Sequence, residues 1–125
     1  HAMMMVQYLL DNDLPVGIPG IDEVRNDFTN VRELVELTLK QERAVTDQIA
    51  QLARTARDEG DYLGEQFMQW FLKEQVEEVA TVSTLLTVVE RAGDNLFHIE
   101  DFMAREMARA ASTDTTAPKA AGGAV

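Results

Sequence analysis

Cysteine is absent from the 125 residues, which excludes disulfides, thiolate metal ligands and cysteine nucleophiles together. That usage is compatible with a reducing cytoplasm, the expected location. Basic residues are scarce: 11 Lys and Arg stand against 22 Asp and Glu, for a net charge of −11. Phosphate binding needs clustered Lys and Arg, so nucleic acid is not an expected partner. Long apolar runs are missing too. None approaches the roughly 20 residues that cross a bilayer, and no membrane partner is expected. No signal peptide is visible, and an opening of His1-Ala2-Met3 reads as a cut end. There is no Gly-rich phosphate loop and no Ser nucleophile beside a base. What remains is one domain's worth of chain. Its acidic surface attracts cations, although plain solubility accounts for the charge equally well.

Helical spacing dominates the rest. Phe67, Phe71, Gln75, Glu78, Val82, Leu85 and Val89 recur every three or four residues, the core-facing stripe of a helix. Gln75 and Glu78 are its polar members, and Glu74 borders them. Burying an unpaired carboxylate costs several kcal/mol, on the order of the stability of a whole small domain. A partner is required, and a cation is the most economical one. A second stripe runs through Val31, Val35, Thr38, Glu42, Val45, Ile49, Leu52 and Ala56, with Glu42 as its one acid. Set side by side, the two helices bring Glu42 to Glu74, Gln75 and Glu78. His1, Met5 and Tyr8 form a third, short stripe. One imidazole, three carboxylates and one amide suit iron or manganese better than thiophilic metals. The blander alternatives stand beside this: Glu42 snorkelling outward or paired with Lys or Arg, and Glu74 to Glu78 as a solvated acidic face. Two seams interrupted by acids at mid-length favour the metal site.

The spacing predicts helices over 1–11, 30–58, 61–92 and 95–109. The first reads as the last turns of a helix, stopped before Pro15. A Pro- and Gly-rich connection follows, and about 15 extended residues reach roughly 50 Å, enough to start the next helix parallel to the last. Asn30 is an N-cap with Glu33 at the capping-box position. Gly60 stops the second helix and Asp61 caps the third, a turn short enough to make the two antiparallel. Gly93 ends the third, and Asp94 or Asn95 caps a fourth carrying Leu96, Ile99, Met103 and Met107 on one stripe. From Ala111 periodicity is lost. The expected organisation is a helical domain over 1–110 and a disordered tail over 111–125. Met3-Met4-Met5 and Trp70 read as core fillers, and His98 as surface.

Gln41-Glu42-Arg43, Asp58-Glu59-Gly60-Asp61 and Gln69-Trp70-Phe71-Leu72-Lys73-Glu74-Gln75-Val76-Glu77-Glu78 closely resemble the bacterial non-haem ferritins. The opening His-Ala-Met-Met, the Pro–Gly crossover, Asn95-Leu96-Phe97 and the Ala/Gly-rich tail place the resemblance nearest the actinobacterial, mycobacterial-type branch. Bacterioferritins and rubrerythrin-like proteins repeat Glu-x-x-His where this chain has Gln75-x-x-Glu78, so no haem is implied. The resemblance implies an all-α, ferritin-like four-helix bundle, here partial. It implies that His1 closes the first Glu-x-x-His, and that Glu42, Gln75 and Glu78 complete a di-iron ferroxidase centre. Glu74, Glu77 and Glu78 match an additional iron site. The implied activity is oxidation of Fe(II) by oxygen or hydrogen peroxide, with ferric mineral held in a homo-oligomeric cage of 24 subunits. The fourth helix would line its four-fold axis. Against the family pattern, the first helix, most of the second and two glutamates are not in the sequence. The 125 residues alone are therefore expected not to store iron. A rival from another class is a non-catalytic acidic helical module that only self-associates or binds partner helices through its seams.

Overall fold

The structure, a computed structural model, describes residues 1–93, 95–110 and 115–122. Four helices occupy them: α1 (Ala2–Asp11), α2 (Val31–Asp58), α3 (Tyr62–Ala92) and α4 (Leu96–Ala110). The expected boundaries hold to within one residue, and no strand occurs among the described residues. The chain forms two compact units, His1–Asn26 with Asp114–Val125, and Asp27–Thr113.

In the first unit, α1 ends in a paired-carbonyl stop. The Leu14 N–H donates to the Leu9 carbonyl at 2.9 Å and the Asp13 N–H to the Leu10 carbonyl at 3.1 Å. Asp13 takes the left-handed conformation this motif needs, with φ of 54°. The helix buries no residue fully, and Met5 and Tyr8 are half-buried. The connection after it exposes Ile18 and Ile21. From the tail, the Ala121 N–H donates to the Met3 carbonyl at 2.9 Å. Of the tail expected to be disordered, 111–114 and 123–125 lie outside the described residues.

The second unit is built on the α2–α3 pair. Asn30 accepts the Glu33 N–H at 2.9 Å, and the Glu33 carboxylate returns to the Thr29 N–H at 2.9 Å, so the expected box closes one residue earlier than its usual register. Gly60 stops α2 with φ of 74°, its N–H on the Arg57 carbonyl and that of Asp61 on Ala56. Asp61 then accepts the Gly64 N–H at 2.9 Å and starts α3. Arg57, at the end of α2, pairs with Glu65 near the start of α3, with Nε to Oε1 at 2.8 Å. Arg32, at the start of α2, meets Glu90 near the end of α3 at 3.2 Å. The two helices are therefore antiparallel.

Between those ends the α2 face that packs is Val35, Leu39, Ile49 and Ala53, with Glu42 and Thr46 half-buried between them. This corrects the expected stripe. Val35, Ile49 and the acid at Glu42 were rightly placed, but the seam advances by four residues from each rather than by three. Leu39, Thr46 and Ala53 thus replace Thr38, Val45 and Leu52 in it, and Val45 and Leu52 are exposed. An apolar helix face wider than one seam offers both choices, and only the partner helix decides. On α3, Gly64, Phe71, Gln75 and Val89 are buried. Phe71 is wholly enclosed, edge-on to Phe67 and Trp70 with ring centroids 5.0 Å away in each case.

The fourth helix docks by Ile99, which joins Val35 and Val89 in one cluster with Val31, Val82, Leu85, Leu86 and Ala92 against it. Its expected stripe is corrected as well. Leu96 and Met103 are exposed, and the half-buried neighbour of Ile99 is Phe102. A short helix resting on one partner buries a narrow line. The side chain of Met107 and the alternative cap Asp94 lie outside what is described.

Candidate metal centre

Midway along the α2–α3 seam the apolar packing is interrupted once. Gln75, one turn after Phe71, is 1 % exposed. A buried amide without acceptors costs about 1–3 kcal/mol, so its surroundings must supply them. They come from one turn of α2. Gln75 Nε2 shares its two hydrogens among the Glu42 carboxylate Oε2 at 3.1 Å, the Glu42 carbonyl at 3.1 Å and Thr46 Oγ1 at 3.2 Å. Thr46 in turn donates its hydroxyl to the Glu42 carbonyl at 2.9 Å. Glu42 and Gln75, singled out on separate helices in the sequence, are thus in direct contact. Thr46 was missed there. Its signal was available, a hydroxyl residue one turn after Glu42 on the same face.

Glu78 lies outside this contact. Its expected place on the buried stripe is corrected: Val79, half-buried, continues the seam and Glu78 is exposed. At 3.6 residues per turn, Gln75 is followed on its own line by Val79 as readily as by Glu78. Glu78 still belongs to the same electrostatic neighbourhood. Its carboxyl holds its proton to higher pH than an ordinary glutamate, first through partial desolvation, then through the charges of Glu42, Glu74 and Glu77. Glu74 is half-buried and Glu77 exposed. These four acids form a field of one sign with its buried edge at Glu42.

His1 sits in the first unit as the residue preceding α1, where its carbonyl accepts the Met4 and Met5 N–H groups at 3.0 and 3.2 Å. Among the described residues, no three His, Cys, Asp or Glu side chains converge closely enough to hold a metal ion by themselves.

Comparison with known proteins fixes the family. A Ferritin-like domain model matches residues 1–92. Ferritin BfrB of Mycolicibacterium smegmatis is 68% identical over 125 residues, covering all of this chain and 68% of that protein. The chain belongs to the ferritin family. A Mycobacterium tuberculosis relative (strain H37Rv), called Bacterioferritin BfrB, is 61% identical over 123 residues and 67% covered. Among solved structures, the open pore ferritin of the archaeon Archaeoglobus fulgidus superposes with a TM-score of 0.78 at 25% identity, over 86% of this chain and 65% of that one. This ferritin thus spans about two thirds of the length of its relatives, and its all-α fold matches that of ferritin-like four-helix-bundle proteins. The mycobacterial resemblance seen in its motifs agrees with the two BfrB matches.

Proposed function

We propose that the whole protein stores iron and oxidises Fe(II), with Glu42, Gln75 and Glu78 as this chain's share of a di-iron ferroxidase centre. The observation that carries the reading is the buried Gln75 amide held on the Glu42 carboxylate, at the one polar break in the α2–α3 seam. Family membership supplies the metal. In this reading His1 adds the nitrogen ligand, and Glu74, Glu77 and Glu78 hold a further iron. No haem takes part, and the protein works in the cytoplasm as a cage of 24 subunits.

The substrate is Fe(II), and each ion gives up one electron. Dioxygen accepts two electrons and two protons to become hydrogen peroxide, or peroxide accepts two more with two protons to become water. What the chain contributes is charge and position. The acids around Glu78 repel one another when ionised, which a divalent ion relieves, and Fe(III) relieves further. Carboxylates therefore favour the product charge state. Glu42 is kept in place by Gln75 at the buried edge, where water screens least.

The test is Glu42→Ala in the full-length protein. The rapid phase of Fe(II) oxidation, followed by stopped-flow absorbance and oxygen uptake, is expected to fall at least about tenfold, the effect of losing one ligand or its outer-shell partner. Assembly should be unchanged. An unaltered rapid phase would refute the assignment. The second reading, a helical module that associates without catalysis, is favoured by the apolar side chains Leu34, Val45 and Leu52, exposed in line along α2. It predicts self-association with no saturable Fe(II) binding.

A further inference from the structure

Resting on the iron-centre reading, we infer that Thr46 is a positioning residue, whose hydroxyl fixes which end of the Gln75 carboxamide faces Glu42. The two ends of an amide are nearly the same size, so neighbours alone decide its orientation. Around Gln75 Nε2 stand three oxygens: the Glu42 carboxylate, the Glu42 carbonyl and Thr46 Oγ1. The first two only accept. A hydroxyl can do either, but that of Thr46 has its hydrogen committed to the Glu42 carbonyl at 2.9 Å. It therefore faces Gln75 as an acceptor. A flipped amide would set Oε1 against the lone pairs of the Glu42 carboxylate and carbonyl, and could accept from Thr46 only by drawing its hydrogen off the Glu42 carbonyl. The NH2 is held to α2, and Oε1 is left as the one oxygen the amide can offer a cation.

Thr46 matters most when a cation arrives. Once the Glu42 carboxylate turns its charge to a metal ion, its hold on Nε2 weakens. The Thr46 hydroxyl is then the side-chain acceptor that keeps the amide from turning. Half-buried and one turn from Glu42, it is close enough to do this without being a ligand itself.

The experiment compares Thr46→Val, which keeps the shape and removes the hydroxyl, with Thr46→Ser, which keeps the hydroxyl, in the full-length protein. Anaerobic Co(II) titration gives both affinity and, through the d–d absorption bands, the ligand set. Thr46→Val is expected to weaken the tightest Co(II) site about five- to tenfold, the worth of one hydrogen bond, and to alter the bands. Thr46→Ser should restore both. In a Gln75→Leu background Thr46→Val should have no further effect, because Thr46 acts through Gln75. The proposal is overturned if Thr46→Val binds as wild type, if Thr46→Ser is as weak as Thr46→Val, or if the loss persists without Gln75. If wild type itself shows no saturable site and Glu42→Ala changes nothing, the iron-centre reading fails as well, a distinct result. Should Thr46→Val not fold, Thr46→Ala carries the same comparison.

Discussion

Glu78 is the residue through which acid reaches the centre. Its folded-state pKa lies above its ordinary value of 4.5, owing first to desolvation and then to Glu42, Glu74 and Glu77. Ionised Glu78 therefore opposes folding at pH above the folded value. That cost fades as pH falls through the folded pKa and is gone below the unfolded one. Glu78→Gln is accordingly expected to raise stability at neutral pH, by an amount that shrinks to nothing by about pH 4. Urea denaturation at a series of pH values measures this, and a gain independent of pH would count against the charge-repulsion account. Protons compete with a cation for the same acids, so metal binding should also weaken as the solution is acidified.

At the scale of elements, the α2–α3 hairpin depends on one backbone conformation that side chains avoid. Gly60 has φ of 74° with open space around its missing Cβ, so Gly60→Ala would add strain without a clash. A loss of about 1–2 kcal/mol is expected, the cost of a left-handed L-residue. A shift in urea midpoint with unchanged slope would show it. This turn was legible in the sequence because Gly60-Asp61 carries both a stop and a cap, and local signals of that kind need no partner. The Asn30 cap and the long helices were legible for the same reason. Seams were only half legible. Val35, Glu42 and Ile49 lie on the shared line of two possible apolar stripes, and the choice of Leu39 over Thr38 is made by α3, not by α2. The candidate site shows the same division. Gln75 and Glu42 were found because a polar residue in an apolar stripe is conspicuous wherever its partner lies. Thr46 was missed because a Thr on a helix reads as unremarkable until something donates to it.

For the whole molecule, charge is the property that acts at a distance. With a net charge of −11, the chain carries a field that draws cations, and on the proposed reading Fe(II), before any ligand is touched. Initial rates of iron uptake by the full-length protein are therefore expected to fall as salt rises, because the screening length drops from about 10 Å at 0.1 M to about 3 Å at 1 M. Stopped-flow rates across that range, at constant pH, test it. Uptake insensitive to salt would mean that delivery is not electrostatic.

The Gln75–Glu42 contact also acts as a vernier for the hairpin. Two antiparallel helices with apolar seams can slip by one turn, about 5.4 Å, and still find grease against grease. Here such a slip would take the buried Gln75 amide off one of its two partners, Glu42 or Thr46, and towards Leu39 or Ile49, both buried and without a side-chain acceptor. Each hydrogen bond lost would cost about 1 kcal/mol, and the Arg32–Glu90 and Arg57–Glu65 clasps would open at both ends together. Alignment is thus discrete, a notch in place of a smooth track. The group that would meet the metal is the same one that tells the helices where to stop sliding, so any variant that loosens the register should blunt the centre first.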